Sequence, residues 1–192
     1  MNENAITVVI PTIPPRHPLL ARALRSVTDQ TLQPTEIIVI FDHEREGAAS
    51  TRQRGLERVA TPWVAFLDDD DEMMPVHLQR LLTHALDTGA DFVYSWFETI
   101  PHGRDPFPPT HFTQPFDPTN PIETTITTLV RTGIARQVGF RPHREANVDW
   151  PGEDRRFTMG CLELGANIQH LVEKTWYWHH DSGNTSGLPT RW

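Results

Sequence analysis

Three short apolar runs, each the length of a strand, constrain what this chain can fold into. Ile6-Thr7-Val8-Val9-Ile10 is β-branched and closes on Pro11-Thr12, so it reads as a central strand. Glu36 to Phe41 is a second buried strand, ending at Asp42, and Trp63 to Leu67 is a third. Helical spacing separates them. Leu20, Ala23, Leu24 and Val27 recur on one face, and Gly47 to Val59 reads as another helix. Leu78, Leu81, Leu82, Ala85 and Leu86 form a third stripe, with Pro75 suited to its first turn and Gly89 to its end. Asp91 to Phe97 is a fourth strand. Strand and helix thus alternate three times, which predicts an α/β fold with a mainly parallel, doubly wound sheet flanked by helices.

The third strand ends in Asp68-Asp69-Asp70-Asp71-Glu72. In an open α/β sheet, ligands bind at the carboxyl ends of strands. Five adjacent acids repel one another unless something positive lies among them. A divalent metal would answer this, since it takes carboxylate oxygens and also binds phosphate. A solvated acidic loop, or a helix start that welcomes negative charge, is the plainer alternative. Asp68 and Asp70 are separated by one residue, so on an extended strand end they point to the same side.

The second half is less regular. Ile100 to Pro121 holds seven prolines and little periodicity, and so reads as a long loop of the kind that forms lids and binding loops. Ile122 to Arg131 alternates threonine with apolar residues and predicts a strand, and Thr132 to Val138 a short helix. Phe157, Cys161 and Leu164 recur at helical spacing behind Gly152-Glu153-Asp154, which puts the two acids at a helix start and Cys161 in the core. Ile168 to Trp178 reads as strand. A chain of 192 residues fits one domain, and a lone cysteine excludes an internal disulfide or a cysteine-built zinc site. A net charge of -8 argues against a broad nucleic-acid-binding face. No stretch approaches the roughly 18 apolar residues of a membrane span. Met1 to Ala5 shows no signal-like run, so a cytoplasmic location is expected.

Four blocks together resemble the family-2 glycosyltransferases of the GT-A fold. They are Val8-Val9-Ile10-Pro11-Thr12 with Leu24-Arg25-Ser26-Val27 behind it; Glu36-Ile37-Ile38-Val39 leading to Asp42; Thr51-Arg52-Gln53-Arg54-Gly55-Leu56 followed by the acidic run; and Gly139-Phe140 with Gly152-Glu153-Asp154 and a late histidine. The resemblance spans nearly the whole chain and implies a single Rossmann-like domain over residues 1–192. Residues 1–99 would bind the nucleotide sugar and residues 100–192 the acceptor, with the Pro-rich loop at 100–121. There are departures. Phe41 stands where the family has the first of two acids, Gln53 where it has asparagine, and His43-Glu44-Arg45-Glu46 where it has a Gly-Ser turn.

The resemblance also implies roles. Asp70 would touch a Mn2+ or Mg2+ ion directly, with Asp71 in reserve, and Asp68 would hold the ribose or a metal-bound water. Asp42 would accept from the nucleobase imide, in a pocket lined by Pro11 and Thr12; an ordinary strand-end cap is the alternative. Asp69 is grouped with these nucleotide-binding residues. Arg52 would lie near the base and diphosphate, where its fork suits phosphate oxygens. Arg54 reads instead as a surface partner for nearby acids. Asp154 would be the base that takes the acceptor proton, with Glu153 beside it; a helix-capping acid without chemistry is the alternative. Trp150 could offer the acceptor a stacking face, or belong to the core. His180 would complete the metal shell; its neighbour His179, on a strand, would face the other way.

The activity implied is inverting transfer of a sugar from a nucleotide diphosphate, UDP being the expected nucleotide, to the hydroxyl of a glycan, protein, lipid or small molecule. A sugar-1-phosphate nucleotidyltransferase is the first competing reading. It normally needs a Gly-rich phosphate loop, and Thr12 to Pro18 contains no glycine. A non-catalytic sugar- or nucleotide-binding module is the second.

Overall fold

The apolar runs become strands because both of their faces are covered. The computed structural model describes residues 2–101, 107, 109–121, 125–141 and 152–179. In β1 (Ile6–Thr12), Ile6, Val8 and Ile10 pack on one side of the sheet and Val9 on the other. β2 (Glu36–Phe41) and β3 (Trp63–Phe66) flank β1 in parallel. Among the described residues the sheet continues from β2-β1-β3 through β6 (Thr128–Arg131), β5 (Phe92–Ile100) and β7 (Ile168–His179) to β4 (Glu72–Met73). β5 and β7 run with the first three, whereas β6 and β4 run against them. The sheet is therefore mixed and mainly parallel, as the alternation predicts.

Helices α1 (His17–Thr28) and α3 (His77–Thr88) cover one face through Leu20, Ala23, Val27, Leu78, Leu81 and Ala85. Helices α2 (Ala48–Leu56), α5 (Thr132–Val138) and α6 (Glu153–Glu163) cover the other through Leu56, Ala135, Phe157 and Cys161. Burial pushes the Cys161 thiol up to about 12, in keeping with a core residue. Gly55 interrupts α2 at some propensity cost. A Cβ there would lie 2.4 Å from Val9 Cγ1, so glycine lets α2 settle onto β1. That approach turns Arg52, three residues earlier on the same face, toward the edge of the sheet.

Several sequence expectations need correction. The Pro-rich segment is not a bare loop. β5 runs to Ile100, and a short helix α4 (Pro109–Thr113) follows. Phe107 and Phe112 pack against Trp96, Phe97, Trp176 and Trp178, so aromatic burial anchors a segment that its prolines suggested was free. The threonine-alternating stretch forms a strand only at Thr128–Arg131, and residues 122–124 lie outside those described. Pro75 falls two residues ahead of α3, before the N-cap Val76, while Gly89 ends that helix with φ 64°. β4 was not legible at all. Two residues carry no periodicity, and Glu72 and Met73 become strand only by pairing with Tyr177 and Trp176. Among the described residues, no helix is long and apolar enough to cross a membrane.

A polar node ties α3 to β5 and β7 of the sheet. His77 Nδ1 lies 2.7 Å from Thr175 Oγ1, which lies 2.6 Å from Ser95 Oγ. His77 is fully buried, and burial pulls its imidazole from 6.5 down to about 3. The unfolded chain takes up this proton near 6.5 and the folded chain refuses it until far lower pH. The node's contribution to stability is therefore whole above pH 6.5 and is lost as pH falls below it. Wild type should lose about 1–2 kcal/mol by pH 5 relative to a His77→Gln variant, which cannot titrate there. Urea unfolding of both proteins from pH 7.5 to 5 checks this; parallel pH profiles would show that His77 is not held neutral.

Candidate active site

Because β1, β2 and β3 are parallel, their carboxyl ends open on one edge of the sheet. Thr12, Asp42 and Asp68 to Asp71 all leave from that edge. The strand order reverses around β1, which is where open α/β sheets bind ligands.

The acidic run does not dangle into solvent. Asp69, Asp70 and Asp71 are buried. Asp69 accepts from Thr12 Oγ1 at 2.6 Å and from Arg16 Nη1 at 2.6 Å. Arg16 also reaches Asp70 at 3.3 Å. Arg22 donates to the Asp70 carbonyl at 2.5 Å and pairs with Glu72 at 3.3 Å. Asp71 Oδ1 accepts the backbone N–H of His179 at 3.0 Å, and His179 Nε2 lies 2.6 Å from Glu72. Pro11 is buried inside β1, beside Ile40 of β2.

Three of the acids converge. Ligand oxygens of Asp68, Asp70 and Asp71 lie within 4.8 Å of one another. This spread is close to the separation of about 4 Å between opposite oxygens around a small divalent cation. The arginines do not fully compensate the charge. Burial, then the Asp68 carboxylate, raise Asp70 to about 7 against the pull of Arg16. Burial followed by Asp70 and Asp68 push Asp71 well above the usual carboxylate range. Burial also raises Asp69, opposed by Thr12 and Arg16. Oxygen donors with unspent negative charge fit a hard divalent cation such as Mn2+ or Mg2+.

The second group of acids comes from α6. Gly152 is its N-cap, and Glu153 and Asp154 occupy its first turn. The N-terminal end of the helix favours their charge. The two groups meet at Arg52, which is 3% exposed. Its two terminal nitrogens hydrogen-bond Asp68 and Glu153, and Asp154 Oδ1 lies 3.8 Å away. Burial disfavours the guanidinium charge, but Asp68, Glu153 and Asp154 overrule it and raise its pKa. Asp154 thus has a cation beside it as well as the helix end that the sequence predicts.

Asp42 is 3% exposed and accepts the backbone N–H groups of Glu46 at 3.0 Å and Gly47 at 2.8 Å. Those contacts make Asp42 a strand-end cap, the alternative to base reading. Arg54 pairs with Glu46 at 3.4 Å and approaches Asp42 at 3.8 Å, as expected of a surface partner. Gln53, in place of the family's asparagine, accepts the Phe140 N–H at 2.8 Å and so ties α2 to the end of α5. Trp150 and His180 lie outside the described residues. His179 is within them, anchored to the acidic run by its own backbone.

Sequence reasoning missed Arg16 and Arg22 as partners of the acidic run. Their signal was weak: single basic residues in the loop and helix after β1, more than forty positions from the acids they meet.

A mixed seven-stranded sheet flanked by helices, with an acidic cluster at its carboxyl edge, is the GT-A architecture. The chain belongs to glycosyl transferase family 2, whose model matches residues 39–145, more than half of its length. Among solved structures it is similar to residues 1–349 of S. aureus TarS, with a TM-score of 0.74 and 18% identity, over 91% of this chain and 60% of that one. The same TarS segment in complex with UDP-GlcNAc gives a TM-score of 0.76 at 18% identity, over 94% of this chain and 60% of that one. Its complex with UDP gives a TM-score of 0.73 at 18% identity, over 93% of this chain and 61% of that one. The chain thus spans about three fifths of the length of these TarS structures, and at this identity the likeness speaks for the fold. No curated protein matches the chain.

Proposed function

We propose that this chain is an inverting, metal-dependent glycosyltransferase that moves a sugar from a nucleotide diphosphate to an acceptor hydroxyl. The observation that carries the reading is the convergence of Asp68, Asp70 and Asp71 at the strand edge, across Arg52 from Asp154. Asp70 and Asp71 would hold Mn2+ or Mg2+, with Asp68 serving the ion or the ribose. Such an ion, when bound, neutralises charge developing on the leaving diphosphate. Arg16 and Arg22 keep the acidic run folded while leaving it net negative. Asp154 accepts the proton of the acceptor hydroxyl on the side opposite the leaving group, as inversion requires.

UDP is the proposed nucleotide. The family membership and the TarS complexes with UDP and UDP-GlcNAc support that choice. Thr12 and Asp42 lie at the ends of β1 and β2, where the base would sit, with Asp42 acting by shaping the 43–47 turn. Residues 1–99 form the proposed donor half and residues 100–192 the acceptor half.

A thermal-shift series with UDP, with and without Mn2+, tests the reading. At ligand a hundredfold above Kd, stabilisation is about 2.7 kcal/mol, or roughly 5–10 °C for a chain of this size. That rise should need both nucleotide and metal. No rise with any nucleoside diphosphate, or a rise indifferent to chelator, would overturn it.

A further inference from the structure

Two arginines reach the acidic run from the β1–α1 side of the sheet, and they spend their charge differently. Arg22 donates to the Asp70 carbonyl and pairs with Glu72, so it braces the backbone of the run. Arg16 lies across two neighbouring carboxylates, with Nη1 2.6 Å from Asp69 and Nη2 3.3 Å from Asp70. Both Asp69 oxygens are engaged, one by Arg16 and the other by Thr12 Oγ1 at 2.6 Å. Asp69 also stays out of the converging trio of Asp68, Asp70 and Asp71. It acts instead as a clamp that holds Arg16 over Asp70. The chain around Arg16 is stiff. Arg16 ends a single 3-10 turn, Pro14–Arg16, and Pro18 follows in the first turn of α1. Proline rings fix φ at positions 14 and 15, and the Arg16 N–H bonds the Ile13 carbonyl at 3.0 Å. Movement of the guanidinium is therefore movement of its side chain alone, which is 14% exposed and so borders solvent.

We propose that Arg16 is a plug: in the metal-free chain its guanidinium occupies the Asp70 carboxylate, and it must leave before a divalent ion can take that ligand. The inference rests on the proposed function in taking Asp70 as a metal ligand. Arg16 and the ion are drawn to the same oxygens, and two cations side by side repel most strongly where little water screens them. Asp70 is buried, so the repulsion is weakly screened there. The longer contact of Arg16, the one to Asp70, is the one that yields. The side chain then swings toward solvent while Thr12 keeps its hold on Asp69. The plug lets three close carboxylates stay folded without an ion, and it sets the metal concentration at which the site loads.

Two readouts test the plug without turnover. Mn2+ uptake, followed by loss of the free-ion electron paramagnetic resonance signal, should be about three- to tenfold tighter in Arg16→Gln than in wild type. Deleting one positive charge accounts for part of such a gain, so displacement is read separately. Labelling of Arg16 by phenylglyoxal, mapped by peptide mass spectrometry, should rise severalfold in wild type when Mn2+ is added, because the guanidinium moves out to solvent. Exposed Arg25 on α1 is the internal reference and should label equally with and without the ion. Asp69→Asn opens the clamp, and should raise Arg16 labelling already in chelator. Arg16 labelling that stays level or falls on adding Mn2+ would overturn the plug, as would Arg16→Gln taking up Mn2+ no more tightly than wild type. The labelling uses wild type alone and decides the matter even if Arg16→Gln does not fold. A wild type that takes up no Mn2+ at all defeats the proposed function itself, a result distinct from Mn2+ bound with Arg16 still shielded.

Discussion

Asp154→Asn is expected to bind UDP within about threefold of wild type and to transfer sugar about 10^2- to 10^4-fold more slowly, the range for loss of a general base. The substitution keeps the shape of the side chain and removes only its charge and basicity. Asp154 sits in the first turn of α6 with Arg52 at 3.8 Å, and it contributes no oxygen to the Asp68–Asp70–Asp71 cluster. Donor binding should therefore survive its neutralisation. Release of UDP from UDP-sugars with Mn2+ gives the rate, and calorimetry gives the affinity. Undiminished turnover would remove Asp154 from the base role. A parallel loss of UDP affinity would instead make it part of the donor site.

Asp70→Asn should show effects of opposite sign with and without metal. In wild type, burial and Asp68 hold Asp70 near 7, well above its ordinary 3.8. The folded state therefore carries a cost for the ionised carboxylate. That cost is absent below pH 3.8, builds as pH rises toward 7, and is complete above it. Asn removes it, so the variant in chelator should be more stable than wild type at pH 8, by about 1 kcal/mol or more, and near wild type at pH 4. The same variant should lose most of the metal-dependent rise in Tm that UDP and Mn2+ give wild type, because a central oxygen ligand is gone. A ligand site that opposes stability when empty is the usual trade between function and stability. An unchanged metal-dependent rise in Asp70→Asn would place the ion elsewhere.

The frame of the molecule was legible because burial is written in local periodicity. Val8 and Val9 pack on opposite faces of the sheet, and Leu78, Leu81 and Ala85 on one face of a helix, because their spacing allows nothing else. The acidic run and Gly152-Glu153-Asp154 were legible for the same reason, since each ends or begins an element that periodicity defines. The neutralisation of the acids was not legible. Five adjacent carboxylates call for a positive group, which local chemistry supplies as a metal; the fold also supplies Arg16, Arg22 and Arg52. Asp42 was open between base reading and capping, and its two backbone contacts depend on the path of the 43–47 turn, which no pattern announces.

By itself the sequence determined most of the strands and helices, though not β4 or α4, together with the faces they bury and the gathering of acids where strands end. These follow from the chemistry of neighbours along the chain. Only the tertiary structure decided that Arg52 links Asp68 to Glu153, a residue 101 positions away, and that β4 brings His179 against Glu72, 107 positions away. An ion pair has no period. Its partners are chosen by how sheet and helices close on one another, and that closure is settled by the packing of the whole core.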